Sequence, residues 1–223
     1  MWVAEVTAER DDEGEPEIPW HLTPEPGAIA LQLRTTIRRV AMGAGLARRA
    51  ELVDAVRALP GVPSVVTSPA GGTFVIGGPR WMGLCAIGTP VDGQTVMPLD
   101  WMVASLRAWF EVALAPFGVT SLDVGKVAGG WCPGFSDLGV GGRKLIGLGF
   151  RATREYVVMR GVMPVAPIDS DDMSLLQAIH RLIDVDVHPP ANTSVADLAG
   201  EPDLTVGEVI GRIRGAAVGA GAP

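Results

Sequence analysis

Apolar positions along the chain change between helical and strand spacing, with no regular strand–helix–strand rhythm and no internal repeat. Residues 99–115 carry a wide apolar stripe and are followed by Pro116 and Gly118, which predicts a long amphipathic helix. Further helices are predicted over 48–59, 172–185 and 206–216, and a short one is predicted after a cap at Thr193 or Ser194. Looser alternation and β-branched runs predict strands over 28–40, 64–67, 74–76, 84–87 and 119–124.

Several of these strands are joined by tight glycine turns. We therefore expect an α/β (α+β) fold, in which a mixed, mainly antiparallel sheet is flanked by helices. The chain has 223 residues, which is enough for one full-sized core and short for two. We expect an acidic, mobile N-terminal arm over 1–20, a single domain over 21–217 and a flexible tail over 218–223.

Composition and charge exclude several classes of protein. Hydrophobic residues make up 48% of the chain and charged residues 19%, which excludes a mostly disordered protein. The net charge is -7 with no basic run, so no nucleic-acid partner is expected. No apolar stretch is long enough to predict a membrane span, and the acidic start is unlike a signal peptide, so the expected compartment is the cytoplasm.

Two cysteines exclude a disulfide scaffold. The three histidines lie far apart, so no metal site is expected, and His180 is expected to be half-exposed on its helix.

The most informative local pattern is a hairpin in the glycine-rich middle of the chain. Gly141 and Gly142 form a two-residue loop between alternating runs, a strong hairpin signal because both turn positions need positive φ. This loop fixes the register, so that Gly139 lies opposite Lys144 and Asp137 shares a face with Lys144. Gly139 leaves space beside Lys144, as a small-ligand cleft requires. Taken alone, however, the hairpin favours a solvent-facing Asp–Lys pair over a binding site.

Cys132 is the candidate nucleophile. It lies in a Gly/Pro loop, where a thiol is more exposed than on a strand and where backbone amides can bind an anion or a carbonyl. The ammonium of Lys144 would favour the reactive thiolate if this loop folds back over the hairpin. Most single cysteines are instead small buried hydrophobes, a description that suits Cys85 better than Cys132. Trp131, next to the thiol, is the tryptophan expected to contact a ligand.

The run from Cys132 to Gly147, CPGFSDLGVGGRKLIG, resembles the signature of the biotin/lipoate protein ligase superfamily, in its lipoate–protein ligase and octanoyltransferase branch. Weaker similarity extends over residues 29–210 and places a Gly-rich ligand loop at 70–73. The resemblance implies the family's α/β catalytic domain and a Lys144 that binds the acyl carbonyl or adenylate. It also implies that Cys132 carries the acyl group as a thioester before the group passes to a lysine of a lipoyl domain.

The sequence departs from the family pattern in the Gly-rich loop. The family usually has Arg residues before three glycines and a His shortly after them, whereas residues 67–76 read TSPAGGTFVI and have neither. Those groups hold the adenylate phosphate in the family's ligases. The departure therefore favours transfer from an activated acyl-thioester donor over the alternative of an ATP-dependent lipoate–protein ligase. A non-catalytic protein that binds acyl groups or lipoyl domains is the third alternative.

The resemblance thus implies an acyltransferase that moves an octanoyl or lipoyl group through a Cys thioester to a lysine of a lipoyl domain. No cofactor is expected for the transfer, and ATP enters only under the ligase alternative. Cys132 is expected to be the nucleophile, Lys144 the stabiliser of carbonyl and thiolate, and Asp137 the group that orients Lys144. The residues expected to bind the substrate, around an apolar tunnel for the acyl chain, are Gly71, Gly72, Thr73, Trp131, Gly139 and Gly149.

Overall fold

A seven-stranded sheet forms the centre of the protein, and a smaller three-stranded sheet lies beside it. The computed structural model describes residues 2–10, 24–89 and 99–219. The elements in chain order are β1 (Trp2–Arg10), β2 (Ile29–Thr35), β3 (Arg39–Gly43), α1 (Ala44–Ala47), α2 (Ala50–Arg57), β4 (Val65–Ser68), β5 (Phe74–Gly77), β6 (Trp81–Gly88), α3 (Leu99–Leu114), β7 (Asp123–Val124), β8 (Leu138–Val140), β9 (Arg143–Ala152), β10 (Val157–Pro164), α4 (Ser170–Arg181), α5 (Val195–Ala199) and α6 (Val206–Gly219), with short 3-10 helices at Ala115–Phe117 and Pro189–Ala191.

The large sheet is mixed and mainly antiparallel. Its strand order is β1-β2-β6-β10-β9-β8-β7, and only the β1–β2 pair is parallel. The small sheet has the order β4-β3-β5, with β3 parallel to β4 and antiparallel to β5. The predicted fold class is therefore confirmed.

Both faces of the large sheet are covered, which explains why every residue of β6 is buried. On one face, Leu33 and Leu84 pack in a core that also contains Leu106 and Phe110 of α3 and Ile213 of α6. A second apolar cluster, on other residues, joins the small sheet to α4 and to the loop before β8. Its buried members include Val40, Phe74, Trp81, Trp131, Leu176 and Ile179. The candidate site lies at this junction of the two sheets.

The predicted hairpin forms as β8 and β9. Gly141 has a φ of 56° and Gly142 a φ of 75°, as a two-residue turn of this kind requires. Gly139 pairs with Lys144 as expected, and then a bulge shifts the register so that Leu138 lies opposite Ile146 instead of Leu145. Because of this bulge, two successive β9 residues, Leu145 and Ile146, both enter the core.

The structure corrects several predicted boundaries. The single strand expected over 28–40 is two strands, β2 and β3, which belong to different sheets. The strand expected over 119–124 is reduced to β7. The mobile arm expected over 1–20 does not describe residues 2–10, which form the edge strand β1, while residues 11–20 lie outside the described residues. The flexible tail expected over 218–223 begins inside α6, and residues 220–223 lie outside the described residues.

A helix able to cross a bilayer would need a long apolar run, and none of the helices within residues 24–89 and 99–219 has one.

Candidate active site

Lys144 and Asp137 form an ion pair that is wholly enclosed by the protein. Nζ of Lys144 lies 2.7 Å from Oδ2 of Asp137, and both side chains are 0% exposed. The interpretation of this pair as solvent-facing, which the hairpin alone favoured, is wrong. The loop that contains Trp131 and Cys132 folds over the hairpin and covers the lysine: Nζ also donates to the carbonyl oxygens of Trp131 (2.6 Å) and Cys132 (2.7 Å).

The three oxygen partners of Lys144 Nζ match the three N–H donors of an ammonium. Burial lowers the pKa of Lys144 and raises the pKa of Asp137, and the mutual attraction of the two charges opposes both shifts. Asp137 is held further by the backbone N–H groups of Gly134 (2.8 Å) and Leu148 (3.4 Å).

Three parts of the chain hold the polar groups of Cys132. Its backbone N–H donates to Nε2 of His180 on α4 (3.0 Å), and its carbonyl accepts from Lys144 on β9. Its sulfur accepts a hydrogen bond from the backbone N–H of Thr73, in the loop before β5 (Sγ to N, 3.2 Å). Cys132 also has a φ of 45°, a left-handed conformation that few residues other than glycine adopt. The thiol is half-buried, which leaves it open to a ligand.

The Gly-rich loop before β5 reaches both the thiol and the large sheet. The N–H of Gly71 donates to the carbonyl of Phe150 on β9 (2.9 Å), which ties the loop to the large sheet. Gly149 must be glycine for this contact, because a Cβ there would lie 2.3 Å from the carbonyl oxygen of Gly71. Thr73 is thereby placed beside Cys132. The residues that the sequence predicted for the ligand loop and for the thiol do therefore meet.

A cleft opens between the two sheets at this point. It contains about 780 Å³ of empty space when its open mouth is counted. The predicted site residues that line it are Gly71, Gly72, Thr73, Trp131, Cys132 and Gly149. Lys144 and Asp137 lie behind the Cys132 loop instead. Gly139 does not line the cleft: it is buried in the hairpin, where a Cβ would lie 2.7 Å from the carbonyl oxygen of Arg143.

Trp131 is fixed between the loop and the sheet. Its ring lies over Gly147, where a Cβ would approach Cζ3 to 2.4 Å, and Nζ of Lys144 lies 4.3 Å from the ring centre. The Trp131 backbone N–H donates to Oδ1 of Asn192 (3.1 Å), and Nδ2 of Asn192 in turn donates to the carbonyl of His188 (2.7 Å). Asn192 was not predicted as a site residue, because nothing local in the sequence marks it.

His180 is the second residue that sequence reasoning missed. It is 0% exposed, so the expectation of a half-exposed histidine is wrong. Nδ1 lies 2.8 Å from the carbonyl of Leu176, which can only accept, so Nδ1 carries the proton and Nε2 is the acceptor. Besides the Cys132 N–H, Nε2 faces the hydroxyl of Thr73 (3.2 Å). Burial lowers the pKa of His180 to about 4, with the Leu176 hydrogen bond opposing the shift and the charge of Lys144 adding to it. The ring is therefore neutral at pH 7.

No group of three His, Cys, Asp or Glu residues able to hold a metal ion occurs in the described parts of the chain. Cys85, the other cysteine, is buried and packs in a small apolar cluster with Ile87 and Val158, as the sequence indicated.

Solved structures of lipoate–protein ligases have a similar fold. The chain resembles a putative lipoate protein ligase from T. acidophilum with bound lipoic acid, with a TM-score of 0.61 and 16% identity over 86% of this chain and 72% of that chain. For a lipoate–protein ligase A bound with ATP, the TM-score is 0.59 and the identity 16%, over 86% and 72% of the two chains. A third similar structure comes from work on a bipartite lipoate protein ligase and its E2 lipoyl domain from Thermoplasma acidophilum (TM-score 0.54, 16% identity, 86% of this chain and 71% of that chain). No protein-family model and no curated protein sequence matches the chain.

At these identities the likeness shows the fold. The protein has the α/β fold of the lipoate–protein ligase catalytic domain, as its resemblance to the biotin/lipoate ligase superfamily implied.

Proposed function

We propose that this protein is an acyltransferase that carries an octanoyl or lipoyl group as a thioester on Cys132. The supporting observation is the anchored thiol: Cys132 lines the cleft between the two sheets, and its N–H, C=O and sulfur are each held by a different part of the chain. A nucleophile requires this kind of placement, whereas a cysteine that only fills space in a core does not.

The reaction would proceed in two balanced steps. The sulfur of Cys132 attacks the carbonyl carbon of a donor acyl thioester, the donor C–S bond breaks, and the donor thiol leaves with the proton that Cys132 gave up. The amine of an acceptor lysine then attacks the Cys132 thioester. A C–N bond replaces the C–S bond, and the proton lost by the amine returns to the Cys132 sulfur.

The surroundings of Cys132 suit the first step. The N–H of Thr73 donates to the sulfur and would stabilise negative charge there. The Lys144 ammonium supplies a fixed positive charge behind the loop. A direct contact of Lys144 with the acyl carbonyl would require the substrate to replace one of its three present acceptors.

Octanoate or lipoate as the transferred group, and a lipoyl domain as acceptor, follow from the resemblance. They are supported by solved structures of similar fold, one with bound lipoic acid and one from work on a ligase and its E2 lipoyl domain. We place the reaction in the cytoplasm, where thiols such as Cys85 and Cys132 stay reduced.

An ATP-dependent lipoate ligase is the second candidate. One observation favours it: Arg34, Arg39 and Arg160 line the cleft and could contact a phosphate, although each also has partners within the chain. A structure of similar fold contains ATP. The absence of the family's Arg and His from residues 67–76 counts against this candidate.

Intact-protein mass spectrometry separates the candidates. The wild type, Cys132→Ala and Cys85→Ala are each mixed with octanoyl-coenzyme A. Cys85→Ala is the matched control, because Cys85 is buried on β6 and Cys132 lies in the loop before β8. We expect one hydroxylamine-labile octanoyl adduct in the wild type and in Cys85→Ala, and none in Cys132→Ala.

A parallel reaction contains ATP and octanoate without the thioester. Release of pyrophosphate with an acyl-adenylate, unaffected by Cys132→Ala, would establish the ligase and contradict the transferase. If neither reaction occurs, both catalytic candidates are contradicted, and binding of acyl groups or lipoyl domains without catalysis is the alternative left.

A further inference from the structure

We propose that His180 is a positioning residue for Cys132: its Nε2 lone pair holds the Cys132 N–H and the Thr73 hydroxyl, and so directs the Cys132 sulfur at the backbone N–H of Thr73. The inference rests on the proposed function in one respect, because it takes Cys132 as the reactive thiol.

Cys132 needs such an anchor because its backbone conformation is unfavourable. Among the described residues, only Cys132 and Asp184 combine a side chain with a positive φ. A left-handed conformation in a residue with a Cβ persists only where surrounding contacts enforce it. Lys144 holds the carbonyl side of Cys132, and His180 holds the N–H side. Without the second anchor, the residue is free to return to negative φ and turn its sulfur away from Thr73.

The histidine ring is itself immobile. Nδ1–H is fixed by the Leu176 carbonyl one helical turn earlier, and the ring makes an edge contact with Phe74, with 5.6 Å between ring centroids. The only polar atom left for the site is therefore Nε2. This atom is occupied by two donors, the N–H of Cys132 at 3.0 Å and the hydroxyl of Thr73 at 3.2 Å, so it acts as an acceptor that shapes the site.

The contact also joins the two segments that must meet. Thr73 belongs to the loop of the small sheet and Cys132 to the loop over the hairpin. His180 touches both with one atom, and Thr73 closes the triangle through its N–H to the sulfur. The distance between the sulfur and its N–H donor is thus set from α4, an element that contributes no other group to these contacts.

Two substitutions separate the acceptor from the bulk of the ring. His180→Phe keeps a planar ring against Phe74 but has no acceptor, whereas His180→Gln places an amide oxygen near the Nε2 position. Both are made in the Cys85→Ala background, so that Cys132 is the only thiol. The readout is the rate of Cys132 alkylation by iodoacetamide between pH 6 and pH 10, followed by mass. This reaction needs no acyl donor and is independent of the proposed function.

We expect His180→Phe to move the midpoint of the alkylation profile upward by about one pH unit, the effect of one lost hydrogen bond to a charged group. His180→Gln should keep the wild-type midpoint. A looser loop alone would scale the rate at every pH and leave the midpoint in place. If His180→Phe does not fold, His180→Asn replaces it, because Asn keeps a donor for Leu176 and has no atom at the Nε2 position.

Unchanged midpoints in both variants would overturn the proposal, and so would an equal shift in His180→Phe and His180→Gln. If the midpoints behave as expected but octanoyl-coenzyme A leaves no adduct on the wild type, the positioning role stands and the acyltransferase proposal fails. The two inferences are therefore tested separately.

Discussion

The enclosed Lys144–Asp137 pair gives the sharpest prediction for stability. Asp137→Asn removes the negative charge but little volume, and Nζ keeps the carbonyls of Trp131 and Cys132 as acceptors. What is lost is charge compensation for an ammonium whose side chain is 0% exposed. Removing one partner of a buried ion pair costs about 3–5 kcal/mol, because the remaining charge is left uncompensated. We expect Asp137→Asn to lower the free energy of unfolding by that amount.

The assay is urea unfolding at pH 7, analysed by linear extrapolation, for the wild type, Asp137→Asn, Lys144→Met and the double variant. The double variant should be more stable than the sum of the two single losses implies, by at least about 2 kcal/mol, because it leaves no uncompensated charge. Additive losses, or a loss below about 1 kcal/mol for Asp137→Asn, would show that the charges are solvated or relaxed. Either result would refute the reasoning about the enclosed pair.

Three further predictions concern local features of the fold. First, His180 has a pKa of about 4 in the folded protein and about 6.5 in the unfolded chain, so the unfolded chain binds the proton more tightly and stability falls as the pH falls from 6.5 towards 4. In urea unfolding, the wild type should lose about 2 kcal/mol more stability than His180→Gln between pH 7 and pH 5. Equal losses would contradict the neutral, buried state assigned to His180. Second, Gly147→Ala should cost about 1–3 kcal/mol because its Cβ meets the Trp131 ring at 2.4 Å, whereas Gly211→Ala on α6, with nothing within 4 Å, should gain up to about 1 kcal/mol. Third, Ser194→Ala should lower the urea midpoint by an amount equivalent to about 1 kcal/mol, since it removes a capping box at the start of α5; an unchanged midpoint would show that the cap adds nothing.

Local patterns in the sequence predicted local structure well. The Gly141–Gly142 turn was predictable because its positive φ values are required by the two-residue loop itself. The pairing of Gly139 with Lys144 was predicted from the same turn, whereas the bulge that shifts the register at Leu138 was not. The burial of this pair did not, because it depends on the loop at Cys132 folding over the hairpin, a contact that no spacing within the hairpin encodes.

Features set by distant parts of the chain were missed for the same reason. His180 is 48 positions from Cys132, and its helix reads as an ordinary amphipathic one. The break between β2 and β3 contains neither Gly nor Pro, so the pattern continued through it as one strand. Strand β1 pairs in parallel with β2, and its acidic sequence suggested an arm instead. In each case the deciding interaction is tertiary and leaves no periodic signal.

Cys132 is held by three separate segments, α4, β9 and the loop of the small sheet. This affects when the geometry of its thiol forms during folding and when it is lost on heating. Local opening of any one of these segments releases the thiol while the rest of the core stays packed, and such partial openings need less free energy than global unfolding. On heating, the reactive geometry should therefore vanish before secondary structure does. During folding it should be among the last features to form, since it depends on the two sheets having already docked.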